Sequence, residues 1–573
     1  MAAAVPLRQA LALSTLAGRR LVVADLALRL LQGALPLLGL LALQRLLDAV
    51  AAGSRATDPD AAFASVLQAV AVAALVAGVG ALVGAFAGQL GERHARLCAD
   101  RCASLLQRHA AALDLLQIES PAIADELHRA HAEAAQRPAR VVLNLAALAV
   151  AATSLLTMAL AAAFAAPWLP LVVGGAAVPQ ALARLRASTR TFAWQEANTA
   201  AQRHVAYLAG MLVSRAYGKD LRALDLAGPV ADALDKERQR LRDEQLRLQG
   251  QRAVGETAAH LLATAALFAG YLFLARQALA GSLTLGALLL QVQAVQRTQN
   301  GVRDALLAYA ALRDDQLFLR HVFAFLARRP QVTAPPVPRS LPPGPLAVRC
   351  AALRFCYPDV ARPVLDGLDL DIRAGERVLL TGANGAGKST VVRLLCRLMD
   401  PVGGRVELGG IDLRACDPQA VRARVAVCWQ DGAGFELPAR DNLEFGALPS
   451  RDAALLAAAD VVGIGDALRA LPDGLSTRLG RAFAGSRELS AGQWRRLLLA
   501  RTLARAGDLL VLDEPFAALD RDGRDRLVQH LAALPRTGTV VVVDHGGDAR
   551  RCVDRVLVLE GGRIASDQPA APS

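Results

Sequence analysis

The sequence predicts two fold classes in one chain: an α-helical domain with six membrane spans and long cytoplasmic helical extensions, followed by an α/β domain. Three observations support this prediction. The 573-residue chain is 54% hydrophobic with a mean hydropathy of +0.32 but only 4% aromatic, which is unusually apolar for a soluble protein. Stretches of spanning length occupy much of residues 1–327. A glycine-rich loop at 382–389 separates a strand-like run from a helix-like run.

The apolar stretches account for six spans. A helix needs about 20 mostly apolar residues to cross a bilayer. The candidates are residues 21–47, 62–90, 141–183, 257–279 and 283–305. The third stretch is twice the spanning length, and Pro167-Trp168 near its middle predicts a hairpin with an aromatic residue at the interface. We therefore expect six spans.

Charge patterning gives the expected orientation. Residues 91–140 carry seven arginines and residues 184–254 carry thirteen Arg and Lys, whereas the opposite linkers hold only Arg55. Because positive residues stay inside, we expect a multi-pass protein of a bacterial inner membrane with both termini cytoplasmic. Residues 1–20 are typical of a cytoplasmic lead-in and not of a signal peptide. The excess of 12 positive charges is explained this way, and no nucleic-acid partner is expected.

The two charged segments are helical in pattern. They contain few Gly or Pro residues, so we expect the spanning helices to continue into the cytoplasm. Glu119–Ala122 and Ala216–Lys219 interrupt them. These interruptions predict short transverse helices about 40 Å beyond the bilayer, at about 1.5 Å per residue.

The sixth span is unusually polar. Its amides and one guanidinium belong to Gln291, Gln293, Gln296, Arg297, Gln299 and Asn300. Such groups are costly against lipid. Two interpretations are open: the side chains line a substrate pathway, or those of residues 296–300 lie at the level of the cytoplasmic headgroups.

Domain boundaries follow from composition. Residues 1–327 form the predicted transmembrane domain, and residues 328–345 contain seven prolines, which is typical of a semi-rigid linker. Short β-like runs alternate with turns after residue 346, which predicts an α/β domain over 346–573.

Gly382–Ser389 has the spacing of a P-loop. Its glycines let successive N–H groups point inward and cradle the phosphates of a nucleotide. Lys388 can reach those phosphates, the Ser389 hydroxyl can bind Mg²⁺, and the helix that begins here adds its positive dipole end.

A second set of residues fits the same nucleotide. Leu509–Glu514 is a buried strand ending in two carboxylates, of which Asp513 is suited to Mg²⁺ and Glu514 to polarising the attacking water. Tyr357 can stack on an adenine, Gln430 can bridge metal and water, and His545 can reach the γ-phosphate. Taken alone, Tyr357 and His545 are more typical of structural residues.

The stretch Glu488–Arg496, Glu-Leu-Ser-Ala-Gly-Gln-Trp-Arg-Arg, decides between the nucleotide-binding families. Here the sequence resembles the ATP-binding cassette (ABC) superfamily, and with six upstream spans the whole chain resembles a half-size exporter of the type IV fold. The corresponding motifs are Tyr357 (A-loop), Gly382–Ser389 (Walker A), Gln430 (Q-loop), Leu489–Gln493 (signature), Leu509–Glu514 (Walker B), Ala518–Asp520 (D-loop) and His545 (switch).

The resemblance implies ATP and Mg²⁺ as cofactors and a second half-transporter subunit as partner. It implies nucleotide contacts from Tyr357, Gly382, Asn384, Gly385, Gly387, Lys388, Ser389 and Thr390, and from Ser490, Gly492 and Gln493 of the opposite subunit. The implied catalytic residues are Glu514, His545 and Gln430, and the implied metal ligands are Ser389, Gln430 and Asp513.

The sequence departs from the family pattern at three places. Ala491 replaces a glycine of the signature, and its methyl group is expected to crowd the phosphate. Asp544 precedes His545 where Thr or Ser is commoner, and we expect it to affect the imidazole. Gly480–Gly485 differs from the commoner acidic segment.

The cysteines favour a reduced, cytosol-facing protein. All eight are scattered without CxxC pairs. His94, Cys98 and Cys102 share one helical face, which is compatible with a metal or redox site. Packing of small buried side chains is the favoured interpretation.

ATP-driven export by a dimer is therefore the leading hypothesis, with a homodimer favoured over a heterodimer. The substrate is unknown, and Gln493-Trp494 with Gly480–Phe483 gives a weak resemblance to peptide exporters. No cysteine-peptidase domain precedes the spans, so a peptide would be processed elsewhere. A lipid flippase, a drug exporter or one half of a heterodimeric thiol exporter are alternatives. A membrane ATPase with a regulatory role is the alternative from another class.

Overall fold

The computed structural model describes residues 12–54, 58–134, 136–164, 167–358, 360, 362–444, 451–505 and 507–570. The chain forms two compact units. One contains Met1–Ala111 and Ala124–Arg328, and the other contains Ala112–Ile123 and Arg329–Ser573. Arg55, in the first predicted linker, lies outside the described residues, as do residues 165–166 before the predicted hairpin.

The chain before the linker is helical. Its helices are α1 (Arg19–Gly53), α2 (Pro59–Ala112), α3 (Leu115–Glu119), α4 (Pro121–Ala134), α5 (Arg137–Ala163), α6 (Leu169–Gly175), α7 (Val178–Ala197), α8 (Thr199–Val213), α9 (Gly218–Ala223), α10 (Ala227–Leu279) and α11 (Leu285–Leu326).

Four helices within the described ranges are long and apolar enough to cross a membrane, namely α1, α2, α5 and α10. They contain the first, second, third and fifth predicted spans. The fourth predicted span is divided between α6 and α7 by a turn at Ala176-Ala177. The sixth lies in α11, where amides and Arg297 make the helix more polar. The fourth and sixth membrane crossings therefore remain predictions.

The predicted helical extensions and their interruptions are present. Helices α2 and α10 contain 54 and 53 residues, far more than a bilayer requires. Helix α2 ends at Ala112, and Ser120 separates α3 from α4. On the second extension, α8 ends at Val213 and α9 begins at Gly218.

Small residues bring α1, α5 and α11 close together. A Cβ atom on Gly33 of α1 would lie 2.7 Å from the Val150 carbonyl oxygen of α5. A Cβ atom on Gly301 of α11 would lie 3.2 Å from the Cα atom of Leu155. Close backbone approach of this kind strengthens van der Waals packing between helices in membranes.

The second unit is built on two sheets. Its strands are β1 (Val348–Phe355), β2 (Leu365–Ile372), β3 (Arg377–Thr381), β4 (Gly403–Leu408), β5 (Ile411–Asp412), β6 (Val425–Cys428), β7 (Leu509–Asp513), β8 (Thr539–Val543), β9 (Arg555–Glu560) and β10 (Arg563–Pro569). Its helices are α12 (Lys388–Leu395), α13 (Pro418–Arg424), α14 (Ala439–Glu444), α15 (Asp452–Val461), α16 (Gly465–Arg469), α17 (Ala491–Arg505) and α18 (Arg521–Ala533).

The larger sheet has the order β10-β9-β3-β8-β7-β6 and is parallel from β9 to β6. Strands β7 and β8 are buried along their whole length, as expected for central parallel strands covered on both faces. The smaller, antiparallel sheet has the order β2-β1-β4-β5. The carboxyl ends of β3, β6, β7 and β8 therefore share one edge, where α/β folds place their sites.

Two segments from outside the predicted α/β domain pack in this unit. Leu116 of α3 contacts its hydrophobic core, and the Gln117 side-chain amide donates to the Arg329 carbonyl at 3.2 Å. Arg393 of α12 forms an ion pair with Glu119 at 3.4 Å. In the proline-rich linker, the Arg339 N–H donates to the Ala415 carbonyl at 2.8 Å.

Candidate nucleotide site

The P-loop connects β3 to α12 through glycines in left-handed conformations. Gly382, Gly385 and Gly387 have φ angles of 147°, 81° and 104°. A Cβ atom on Gly382 would lie 2.1 Å from the Leu559 carbonyl oxygen, and one on Gly387 would lie 2.7 Å from a Leu365 methyl group. Gly385 has open space at the same position. The loop is thus packed on its protein side and open on the side where a ligand would bind.

Lys388 is held by the loop itself. Its Nζ donates to the Gly382 carbonyl at 2.8 Å and to the Ala383 carbonyl at 3.0 Å. Burial lowers the pKa of this ammonium, while the nearby Asp513 and Glu514 carboxylates act in the opposite direction. The charge therefore lies close to the acids at the end of β7.

Asp513 and Ser389 form a pair of oxygen donors. The Ser389 hydroxyl lies 3.5 Å from Asp513 Oδ2. Burial, followed by repulsion from Glu514, raises the pKa of Asp513 to about 6. A buried carboxylate that resists ionisation in this way is expected to gain from a cation beside it.

Glu514 adopts a strained backbone conformation with a φ angle of 50°. Its N–H donates to the Val543 carbonyl of β8 at 2.8 Å, and its Oε2 accepts from Gln430 Nε2 at 2.7 Å. These contacts turn the carboxylate out of the strand and hold it beside the end of β6.

Tyr357 and His545 lie at the outer parts of the site. The Tyr357 hydroxyl is 3.3 Å from both Thr390 Oγ1 and an Arg393 guanidinium nitrogen, and its ring packs edge-on against Phe355. His545 is exposed after β8. Asp544 Oδ1 accepts hydrogen bonds from the N–H groups of His545 at 2.7 Å and Gly546 at 3.1 Å. The Asp544 carboxylate therefore contacts the backbone of the turn.

These residues enclose one cleft of about 510 Å³. It is lined by Tyr357, Val364, Asn384, Gly385, Gly387, Lys388, Ser389, Thr390, Gln430, Asp513, Glu514 and His545. Gly382 lies at the base of the loop and does not line the cleft. Val364 was not predicted, because an aliphatic residue between two strands carries no motif.

Ser490, Gly492 and Gln493 do not line this cleft. They lie at the start of α17, where the Ser490 N–H donates to Gln493 Oε1 at 2.9 Å and the Gln493 N–H donates to Ser490 Oγ at 3.2 Å. This reciprocal capping box fixes the first turn. A Cβ atom on Gly492 would meet no atom within 4 Å, and Ala491 is exposed. The helix start therefore faces open space.

Neighbouring residues contact the start of α17 and the segment Gly480–Gly485, which differs from the family pattern. The Trp494 ring covers Gly434, where a Cβ atom would lie 2.3 Å from it. Glu436 accepts the N–H groups of Arg481 at 3.2 Å and Ala482 at 3.0 Å, within the unusual segment Gly480–Gly485. That segment is thus ordered by an acid outside it.

The oxygen donors fit a magnesium ion. A hydroxyl and a carboxylate at the mouth of a phosphate-binding loop match the preference of Mg²⁺ for hard oxygen ligands, with the remainder supplied by water and phosphate. Within the described ranges, no group of three or more His, Cys, Asp or Glu side chains is arranged to hold a metal.

His94 and Cys98 contact the N-terminal segment. His94 Nδ1 lies 3.0 Å from Asp25 Oδ2, and its Nε2 lies 2.9 Å from the Ser14 carbonyl oxygen. Cys98 Sγ lies 3.4 Å from the same carbonyl, and Cys102 is buried. The His94–Asp25 contact is an ion pair when the imidazole is protonated, and Cys98 contacts the backbone of the N-terminal segment.

The polar residues of α11 divide into two groups. Gln291 donates to the Ala161 carbonyl of α5 at 3.1 Å, and Gln299 donates to the Ala263 carbonyl of α10 at 2.6 Å. The other four, Gln293, Gln296, Arg297 and Asn300, line a cavity of about 720 Å³ within the helical unit.

The chain is similar to known proteins in sequence and in fold. Residues 365–517 match the family model described as ABC transporter. Over these residues the chain is similar to the ABC transporter family. It holds the P-loop, the Asp513-Glu514 pair and the capped start of α17.

Curated relatives match part of this chain. The mycobactin import ATP-binding/permease protein of Mycolicibacterium thermoresistibile is 36% identical over 215 residues, which are 38% of this chain and 36% of that protein. The ATP-dependent lipid A-core flippase of Thiobacillus denitrificans is 36% identical over 224 residues, 39% of this chain and 38% of the flippase. The antigen peptide transporter 2 of Rattus norvegicus is 32% identical over 292 residues, 50% and 40% of the two chains. The matches thus span less than half of each relative's length.

A solved structure extends the likeness to the whole chain. It is described as a bacterial Atm1-family ABC exporter with ATP bound, and it superposes with a TM-score of 0.78 over 96% of this chain and 95% of that one. The sequence identity is 23%, so the likeness is one of fold. The chain has the fold of an ABC exporter, with apolar helices joined to an α/β ATP-binding domain.

Proposed function

We propose that the chain is an ABC half-transporter that couples ATP hydrolysis to export across a bacterial inner membrane. One observation carries the proposal. Lys388, Ser389, Asp513, Glu514 and His545 line a single cleft in a domain of the ABC transporter family, and the same chain has four helices of membrane-crossing length among its described residues.

Each cleft residue has a role in this proposal. The P-loop N–H groups and Lys388 bind the phosphates of ATP. Glu514, oriented by its hydrogen bond to Gln430, accepts a hydrogen bond from the attacking water. His545 contacts the γ-phosphate. Mg²⁺, when bound, would neutralise charge on the phosphates, with Ser389, Asp513 and Gln430 as its protein ligands.

The position of the signature residues supports a second subunit. Ser490, Gly492 and Gln493 lie outside the cleft that their own chain forms. The open space at Gly492 and the positive end of α17 suit a phosphate of an ATP bound elsewhere. We propose that this ATP lies in the cleft of a partner, most simply a second copy of the chain. A related but different chain is the alternative partner.

The substrate is proposed only by class. A peptide is the leading candidate, and a lipid or a drug is the alternative. The relatives' names point to several cargoes, since they mention mycobactin, lipid A-core and antigen peptide. One of them names import, so the direction of transport is also part of the proposal. A regulatory ATPase that moves nothing would hydrolyse ATP at a rate independent of any candidate cargo.

The test is the Glu514→Gln variant of the full chain in proteoliposomes. ATP binding should persist, while hydrolysis falls roughly 10²- to 10⁴-fold, as expected when a general base is lost. The matched control is Glu560→Gln, an exposed glutamate at the end of β9, which should keep full turnover. Undiminished hydrolysis in Glu514→Gln would overturn the role given to this carboxylate.

A further inference from the structure

A polar cavity lies among three helices of the helical unit. Its walls include Arg29 and Gln32 of α1, and Gln293, Gln296, Arg297 and Asn300 of α11, with small and aliphatic residues of α5 between them. The volume of about 720 Å³ is large enough for a small polar molecule or for the headgroup of a larger one. None of these side chains belongs to the nucleotide cleft.

The two arginines of the cavity differ in their partners. Arg29 Nε lies 3.2 Å from Asp25 Oδ1, and the same guanidinium donates to the Ala87 carbonyl at 2.6 Å and to Gln32 Oε1 at 3.3 Å. Arg29 therefore has an acidic partner within the protein, Asp25, which it shares with His94. Arg297 has no hydrogen bond or ion pair with any residue that the structure describes.

Asp304, the acidic residue of α11 that lines the cavity, forms its ion pair with Arg303 and not with Arg297. It lies two helical turns further on and 3.2 Å from Arg303 Nε. Among the described residues, Arg297 is thus the arginine of this cavity that has no ion pair.

Arg297 lies well inside the predicted membrane region. It is roughly 18 Å along the helix axis from Leu285, the first residue of α11, at about 1.5 Å per residue. A guanidinium at such a depth is costly unless it faces water, an acid or a ligand. Lining a cavity instead of lipid meets this requirement and supports the pathway interpretation.

The surrounding amides lie on the same side of α11. Gln293, Gln296, Arg297 and Asn300 lie at positions i, i+3, i+4 and i+7, which is the spacing of one helical face. Gln291 and Gln299, outside this set, are used in contacts with the backbones of α5 and α10. The cavity face therefore combines one cation with several hydrogen-bond donors.

We propose that this cavity binds an anionic group, a carboxylate or a phosphate, of the molecule that the protein transports. Arg297 supplies the charge, and the amides of Gln293, Gln296 and Asn300 supply hydrogen bonds. The proposal rests on the transport function proposed above and narrows its substrates to molecules that carry a negative charge. A purely apolar drug would leave Arg297 uncompensated.

The test measures the electrostatic preference of the cavity with thiol reagents of opposite charge. A Gln293→Cys variant of the full chain, in phosphatidylcholine nanodiscs, is treated with a sulfonate-bearing or a trimethylammonium-bearing methanethiosulfonate. Residue 293 lies about 6 Å from Arg297, one helical turn away. The anionic reagent should react faster, and adding Arg297→Gln should lower the anionic-to-cationic rate ratio roughly tenfold or more.

Arg297→Lys should keep most of the preference, because it keeps the charge. A cysteine at Leu285, at the other end of α11, should show a rate ratio that Arg297→Gln does not change. An unchanged ratio at residue 293 in Arg297→Gln, or a faster cationic reagent in the parent variant, would overturn the proposal. ATP hydrolysis is measured separately, so failure of the ATPase assignment is distinguishable.

Protection of the same cysteine distinguishes the source of the anion. Acetate and inorganic phosphate are added from solution, and phosphatidylglycerol is added in the nanodisc. Slower modification with a soluble anion supports a soluble substrate, whereas slower modification only with phosphatidylglycerol supports a lipid. No protection by any of the three would contradict anion binding.

Discussion

The nucleotide cleft and the polar cavity of the helical unit both contain few charged side chains, but they balance charge in opposite ways. In the cleft, Lys388 lies near two carboxylates, and its Nζ is hydrogen-bonded to loop carbonyls. In the cavity, Arg29 is paired with Asp25 but Arg297 is not paired with a described residue. The cleft has fewer positive groups than the carboxylates and phosphates it would hold. In the cavity, Arg297 is a positive group without an ion pair among the described residues.

The difference indicates which partner each site requires. Asp513 resists ionisation because it is buried beside Glu514, so the cleft should gain from a divalent cation. Arg297 should gain from an anion. Variants at the two sites should therefore differ in their effects on ATP hydrolysis, metal dependence and stability.

Removal of the cleft's ammonium should also strongly impair ATP hydrolysis. Lys388→Ala should lower ATP hydrolysis roughly 10²- to 10³-fold, the size of effect seen when a donor to developing charge is lost. The chain has only two other lysines. Lys236→Ala, at an exposed position on α10, is the control and should hydrolyse ATP normally. Equal rates for the two variants would contradict the proposed cradle.

Acidic pH should weaken metal-dependent binding to the cleft. Below pH about 6, the proton on Asp513 competes with the metal, and the Mg²⁺ requirement for nucleotide binding should rise by up to about tenfold per pH unit. Titration calorimetry between pH 5 and pH 8 measures this. A Mg²⁺ requirement that is flat across this range would show that Asp513 is not a ligand.

The same carboxyl group should affect folding in the metal-free protein. Because its folded-state pKa of about 6 lies above the ordinary value of 3.8, the folded state binds the proton more tightly than the unfolded chain does. Its ionisation therefore destabilises the fold at neutral pH, and this cost should disappear as the pH falls from about 6 to about 4. Asp513→Asn should remove this contribution to the pH dependence of unfolding.

The smallest expected effect separates packing amides from cavity amides in α11. Gln299→Ala removes a hydrogen bond to the Ala263 carbonyl and should lower the free energy of unfolding by about 0.6 kcal/mol. Gln293→Ala, on the cavity face, should leave stability almost unchanged. Thermal unfolding in the same detergent compares the two variants, and an equal loss in both would show that the cavity face also packs.

The sequence predicted the cleft well because its parts are local. A glycine loop after a strand and a pair of acids at the end of another strand are brought to one edge by parallel pairing. Long helical extensions followed from the lack of Gly and Pro. The conformation of Glu514, with its φ angle of 50°, had no local signal, since only the contacts with β8 and Gln430 fix it.

The cavity was beyond prediction because it is formed by packing of distant segments. The sequence pattern placed six polar residues of α11 in one group. Only their contacts in the structure show that Gln291 and Gln299 bond to backbone carbonyls while the other four line the cavity. Asp25 and His94 likewise meet across 69 residues of sequence. Residues 112–123 pack with the C-terminal unit through Leu116 and Gln117, which composition did not indicate.

The central claim is that the cleft of one subunit is completed by the start of α17 of another. Two populations of the Glu514→Gln chain, one with Asn384→Cys and the other with Ala491→Cys, are reconstituted together and oxidised with or without ATP and Mg²⁺. A disulfide-linked dimer of the two populations should form only with ATP. No cross-link with ATP, or the same yield without it, would contradict the claim.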